Sequence, residues 1–338
     1  GLWCVNIGYG NEEMEEAIAA QLKEIPYYLN FGPHTTPPAA ELAAKLATLT
    51  PGTLDKVFFG TGGSLANDTA VRIIHFYFNR LGQHNKKKII ARTDAYHGST
   101  YLSASVSGKP RDKNWLDFET GWIHHLSSPN PYRRAEGMSE EDFCDHLVDE
   151  LEGKILELGP EHTAALIAEP ILASGGVIVP PTGYHARCLE VCRQYDVLYI
   201  SDEVVTGFGR LGHWFASEEV FGIVPDIITV AKGITSGYVP LGAVLISERL
   251  IKEVSGEPDR GASFANGFTY SGHPVACAAA LANLDVIEKG QMLENARKVG
   301  AYLQQKLREL IDLPMVGDVR GLGLMGCVEC VVSKESRQ

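Results

Sequence analysis

The sequence, 338 residues long, contains no run of about 18 apolar residues, the length a helix needs to cross a bilayer. Its first ten residues, Gly1 to Gly10, lack the charged start and apolar stretch of a secretory signal. Basic residues are in deficit: 30 Lys and Arg stand against 42 Asp and Glu, a net charge of -12 that offers no general attraction to nucleic acid or an anionic membrane. The seven cysteines are an odd number scattered through apolar patterns, which excludes a secreted disulfide framework. Cys327 and Cys330 form a Cys-x-x-Cys in "GLMGCVECVV", but no second pair or histidine cluster accompanies it, and buried thiols on a core strand are expected. Internal repeats and low-complexity tracts are also missing. These absences leave a soluble, cytoplasmic globular protein, with no nucleic-acid or membrane partner and no metal, acting on small molecules.

What is present is an alternation of short apolar runs with longer amphipathic ones. With 45% hydrophobic residues the chain can bury a sizeable core. Strands are predicted at 56–59, 87–92, 164–171, 197–204, 226–230 and 242–247. Helices are predicted at 65–81, 183–195, 274–288 and 291–311, with residues 105–140 as a long loop excursion. The strand runs are continuously apolar, as in a sheet covered on both faces, so the fold class is α/β with a mainly parallel sheet.

Ligands of such sheets bind beyond the carboxyl ends of the strands. After "KVFF" comes "GTGGSLANDTA", where Gly60, Gly62 and Gly63 permit close backbone approach and Ser64 opens a helix. That is a phosphate cradle, distinct from a Walker loop and from a dinucleotide turn. After the next strand comes "AYHGST", in which Tyr96, beside His97, could stack on a planar ligand or merely cap the core. Glu169 and the pair Asp202–Glu203 end two further strands, and a carboxylate there is expensive to bury unless something cationic meets it. Lys232, in "DIITVAKGITSG", ends another. Partial desolvation favours its neutral amine, the form that attacks carbonyls to make Schiff bases.

Together these parts suit pyridoxal 5'-phosphate, which needs a phosphate anchor, a ring stacker, an acidic partner for its ring nitrogen and an amine for its aldehyde. Asp202 would keep the ring nitrogen protonated, Val204 could pack under the ring, and Lys232 would shuttle the substrate proton.

The stretch "YISDEVVTGFGRLGHWFASEEVFGIVPDIITVAKGITSGYVPLGAV", with "GTGGSLAND", "AYHGST", "AEPILASGGVIVPPTGY" and "FTYSGHPVACAAAL", resembles the class III pyridoxal-phosphate aminotransferases of fold type I. The resemblance implies a large domain with a seven-stranded, mainly parallel sheet. It divides the chain into an active-site segment at 1–34, a cofactor domain at 35–278 and the beginning of a truncated small domain at 279–338. It also implies Lys232 as the Schiff-base lysine, Asp202 as the ring-nitrogen partner, Tyr96 as stacker, and Gly63 with Ser64 on the phosphate. His97, Glu169 and Val204 would join them around the cofactor. Thr269 would reach the phosphate of the other subunit's cofactor in a homodimer with shared sites, with a tetramer as a further possibility.

Family members using ornithine, acetylornithine or 4-aminobutyrate usually carry a second glutamate after Glu-Pro. Here "EPILASGG" places Ser174 there, as in the ω-amino acid and amine:pyruvate group. The implied reaction moves an amino group from an amine of the β-alanine, taurine or aryl-alkylamine type to a keto acid, pyruvate being expected, by a ping-pong route. Trp3 and Phe31 would wall the substrate pocket, while Arg210 and Arg320 fall in structural motifs. The alternatives are an aminomutase of the glutamate-semialdehyde type and a non-catalytic remnant that binds cofactor.

Overall fold

The computed structural model describes residues 1–255 and 263–337. Two helices open the chain: α1 (Glu12–Glu24), capped by the Asn11 side chain, which accepts from Met14 N–H, and α2 (Pro37–Ala47), which begins on proline. There follow β1 (Lys56–Gly60), α3 (Gly63–Arg80), β2 (Lys88–Arg92), α4 (Tyr101–Val106), β3 (Ile123–Leu126), α5 (Glu140–Leu158), β4 (Thr163–Ala168), α6 (Tyr184–Gln194) and β5 (Leu198–Asp202). Then come α7 (Ala216–Glu219), β6 (Ile227–Val230), β7 (Gly242–Ile246), α8 (Glu248–Val254), α9 (Pro274–Lys289), α10 (Met292–Arg308), β8 (Val316–Leu322) and β9 (Met325–Cys330). None of the described helices is long and apolar enough to cross a membrane.

All six predicted strands and all four predicted helices form, with ends displaced by a few residues. The stretch 105–140 is not only a loop: it carries β3, a four-residue edge strand reading Ile123, His124, His125, Leu126, whose two half-buried histidines hide it from an apolar pattern. The cysteine pair also departs from expectation. It lies on β9 of a separate β8–β9 hairpin, where Cys327 is only partly buried and Cys330 is exposed.

The main sheet has the order β1-β7-β6-β5-β4-β2-β3. Pairs β2–β3, β2–β4, β4–β5 and β5–β6 are parallel, while β7 runs antiparallel to both β6 and β1. Every strand except β7 therefore points the same way, so Gly60, Arg92, Ala168, Asp202 and Val230 all end at one edge.

Alternate side chains of each strand feed opposite layers. Ala165, Ile167, Leu198, Ile200 and Ile227 pack against Ala70, Ile73, Ile74 and Tyr77 of α3. On the other face Leu166 and Tyr199 meet Leu147, Leu151 and Ile155 of α5 and Cys188 of α6, and Ile228 and Val230 meet Ala276, Ala280 and Leu284 of α9. Burying a residue such as Ile73 or Leu151 contributes about 1.5–3 kcal/mol, and this two-sided burial holds the strand ends in register.

Candidate active site

The common edge of the six co-directional strands opens into a cavity of about 530 Å³. Residues just beyond β1 (Gly62, Gly63, Ser64), β2 (Tyr96, His97), β4 (Glu169), β5 (Asp202, Val204) and β6 (Lys232) all line it, as do Trp3 and Ser174. Phe31 and Thr269 are not brought there within one chain. Phe31 is 41% exposed, and exposed Thr269 offers its carbonyl to Tyr27 Oη at 2.9 Å.

Lys232 is only partly buried and opens a 3-10 turn directly after β6. Its φ is +47°, a left-handed conformation that a non-glycine residue adopts only when its surroundings impose it. Asn283, buried on α9, anchors the turn by donating from Nδ2 to the carbonyls of Gly233 and Ile234, at 2.9 and 3.0 Å. The turn thus delivers the amine to the cavity from a fixed base.

Asp202 is buried at 3% exposure, and three donors meet its carboxylate. His97 Nδ1 and Asn67 Nδ2 each lie 2.8 Å from Oδ2, and Val204 N–H donates to Oδ1 at 3.1 Å. Asn67 is oriented in turn, since its Oδ1 accepts from Thr229 Oγ1 at 2.7 Å and its Nδ2 also donates to the His97 carbonyl at 2.7 Å. Asn67 is the site residue missed in the sequence reading. Its signal was an amide side chain among the buried positions of α3, beside Ala66, Thr69 and Ala70.

The two glutamates at the strand ends have other work. Glu169 accepts from Tyr96 N–H at 2.9 Å and from Ala173 N–H at 3.1 Å, clasping the loops after β2 and β4 together. Glu203 accepts from Thr206 Oγ1, Ala216 N–H, Ser217 N–H and Ser217 Oγ, which folds the loop between β5 and α7. Burial pushes both carboxyls above the ordinary glutamate value, and the hydrogen bonds oppose that push. Among the described residues neither is paired with a cation, so backbone amides, joined at Glu203 by the Thr206 and Ser217 hydroxyls, meet these carboxyls where a basic side chain was expected.

The first intrahelical bond of α3 runs from Ala66 N–H to Gly62 O, leaving the N–H groups of Gly63, Ser64 and Leu65 ahead of it with no carbonyl of their own helix to serve. Gly98 has φ of +139°, and a Cβ there would lie 2.5 Å from Ser64 Oγ, so only glycine lets the Tyr96–His97 loop close over the cradle. A phosphate at those amides, a flat ring beside Tyr96 and Val204, a cationic ring nitrogen at Asp202 and a carbonyl at Lys232 fit this donor set and volume. The residues present therefore suit pyridoxal phosphate.

Arg210 and Arg320 are structural, as expected. Arg210 donates to the Trp3 carbonyl at 2.8 Å and to Asn6 Oδ1, tethering the N-terminal segment. Arg320 donates to Gly176 O, Asp318 and Glu329.

The family model for class-III aminotransferases matches residues 1–338. The chain belongs to the class III aminotransferases. These enzymes depend on pyridoxal phosphate, so the chain is a pyridoxal-phosphate aminotransferase. It is 42% identical over 339 residues to a putrescine–pyruvate aminotransferase of Pseudomonas aeruginosa, covering all of this chain and 73% of that relative. Among solved structures, an ω-transaminase from Pseudomonas jessenii in complex with PMP superposes with a TM-score of 0.97 at 42% identity, covering all of this chain and 74% of that one. A thermostable (S)-enantioselective ω-transaminase from Thermomicrobium roseum superposes with a TM-score of 0.96 at 45% identity, over all of this chain and 74% of its own. The fold expectation, α/β of fold type I with a mostly parallel seven-stranded sheet, is therefore met.

Proposed function

We propose that this aminotransferase moves the amino group of a primary amine or ω-amino acid to a keto acid, pyruvate in the first instance, with Lys232 as its covalent and proton-carrying residue. The observation that carries the reading is the convergence of Lys232 and Asp202, from adjacent strands β6 and β5, on one cavity whose floor is the start of α3. The ω-transaminase and putrescine–pyruvate relatives support the amine class, and Ser174 in place of an acidic residue agrees with them.

When bound, pyridoxal phosphate supplies an aldehyde that captures amines and a ring that accepts the electron pair left as a proton departs. Lys232 Nζ would hold the aldehyde and would accept the proton of the substrate's amine-bearing carbon. Asp202 would stabilise a protonated ring nitrogen, and His97 and Asn67 hold its carboxylate in place. The N–H groups of Gly63 and Ser64 bind the phosphate at the helix start. Tyr96 and Val204 would flank the ring and exclude water from it. Trp3 and Ser174 shape the substrate side of the cavity.

The same reading makes the protein a homodimer with shared sites. Thr269 and Phe31 stand exposed outside their own cavity, as residues serving a partner's site would, and Tyr9, Tyr101, Trp115 and Tyr270 form large exposed aromatic surface. The test is a panel of amine donors assayed against pyruvate and 2-oxoglutarate. Preference for pyruvate with β-alanine, diamine or aryl-alkylamine donors is expected, and a clear preference for 2-oxoglutarate overturns the assignment.

A further inference from the structure

At the cavity edge the Ser174 hydroxyl accepts a hydrogen bond from Lys109 Nζ at 2.9 Å. Lys109 is nearly buried, at 7% exposure, and is held by Asp112 Oδ2 at 3.2 Å with the Tyr96 ring centroid 5.8 Å away. An ammonium carries three protons and no lone pair, so Ser174 cannot donate back to it. Among the described residues no other group receives the Ser174 proton. Its oxygen is thus tied to a cation on one side, which polarises the O–H bond and leaves the proton for whatever enters the cavity. Because Asp112 balances the lysine charge, the edge presents an oriented donor and not a bare cation.

We infer that Ser174, polarised by Lys109, is a specificity-determining donor that reads a carboxylate oxygen of the substrate, whether on the keto acid or on an ω-amino acid. Lys109 is a positioning residue that acts through Ser174. This rests on the transamination reading of the cavity. It goes further in assigning to the chain's own middle segment a contact for the substrate's acid group, one that discriminates carboxylate-bearing substrates from plain amines. A glutamate at 174 would instead pair with Lys109 and turn an acceptor toward the substrate, which repels a carboxylate.

The test uses the cofactor-loaded protein and propionate, a carboxylate that cannot be transaminated, with its dissociation constant measured by calorimetry. Ser174→Ala and Lys109→Met are each expected to weaken propionate about tenfold, while Lys109→Arg stays within about twofold of wild type. The KM for 1-phenylethylamine, which has no oxygen to read, is taken from its half-reaction without keto acid and is expected to be unchanged in Lys109→Met and Lys109→Arg. Unaltered propionate binding in Ser174→Ala, no propionate binding by wild type, or a parallel rise in KM for 1-phenylethylamine overturns the inference. Absorbance of lysine-bound cofactor is followed in every sample. Its absence from wild type contradicts the transamination reading itself, and its retention in the variants shows that only the acid contact has changed.

Discussion

Asn67 Nδ2 stands 2.8 Å from Asp202 Oδ2, with both side chains buried, and Thr229 on the neighbouring strand determines which way Asn67 faces. A helix, α3, and two strands, β5 and β6, are thereby joined through one carboxylate. His97 adds a second donor to the same oxygen, so side-chain hydrogen bonds, with no lysine or arginine paired to it among the described residues, hold this buried carboxylate.

Asn67→Ala removes one donor and leaves the carboxylate under-satisfied. A loss of about 1–3 kcal/mol in stability is expected, together with weaker cofactor retention. Urea midpoints and the cofactor dissociation constant check both. Asn67→Asp is expected to be worse, because a second carboxylate then faces Asp202.

Glu169 should behave as a clasp. In Glu169→Gln the amide offers one acceptor oxygen where the carboxylate offers two, so Tyr96 N–H or Ala173 N–H loses its partner. We expect about 1–3 kcal/mol of destabilisation and faster amide exchange at Tyr96, read by hydrogen-exchange mass spectrometry.

Stability should also fall with acid through His185. This ring is wholly buried between Tyr199 Oη at 2.8 Å and the Pro170 carbonyl at 2.9 Å. Burial, reinforced by repulsion from Arg92, lowers its pKa from 6.5 to about 3. The unfolded chain therefore binds the proton first. The stabilisation from a neutral His185 is complete above pH 6.5 and is lost as pH drops toward about 3, by about 1.4 kcal/mol per pH unit. Buried Glu169 and Glu203 are shifted the other way and oppose this slope, so the wild type must be compared with His185→Gln. The variant is expected to start less stable near neutrality and to lose less between pH 6.5 and pH 5.

Much of this was legible in the sequence, for physical reasons that particular residues display. The strands of the covered sheet are apolar on both faces, so "IITV" and "LYISD" announce themselves, and a lysine or aspartate ending such a run stands out against the burial cost. Trp3 and Ser174 reach the cavity as the family resemblance implied. The edge strand β3 was not legible, because His124 and His125 break its apolar run. The helix α5 was also passed over, although Ser139 caps it and Phe143, Leu147, Leu151, Ile155 and Leu158 mark its buried stripe. The roles of Asn67 and Glu169 depend on partners far away in the chain, 73 residues for Glu169 and Tyr96 and 162 for Asn67 and Thr229, which no local pattern encodes.

The account turns on Lys232 as the residue that carries the cofactor. Borohydride reduction of the cofactor-loaded protein followed by peptide mass spectrometry measures this directly. The account predicts a single pyridoxyl adduct on Lys232, absent from Lys232→Ala although that variant folds. An adduct on another lysine, or wild-type protein that takes up no cofactor, would contradict it.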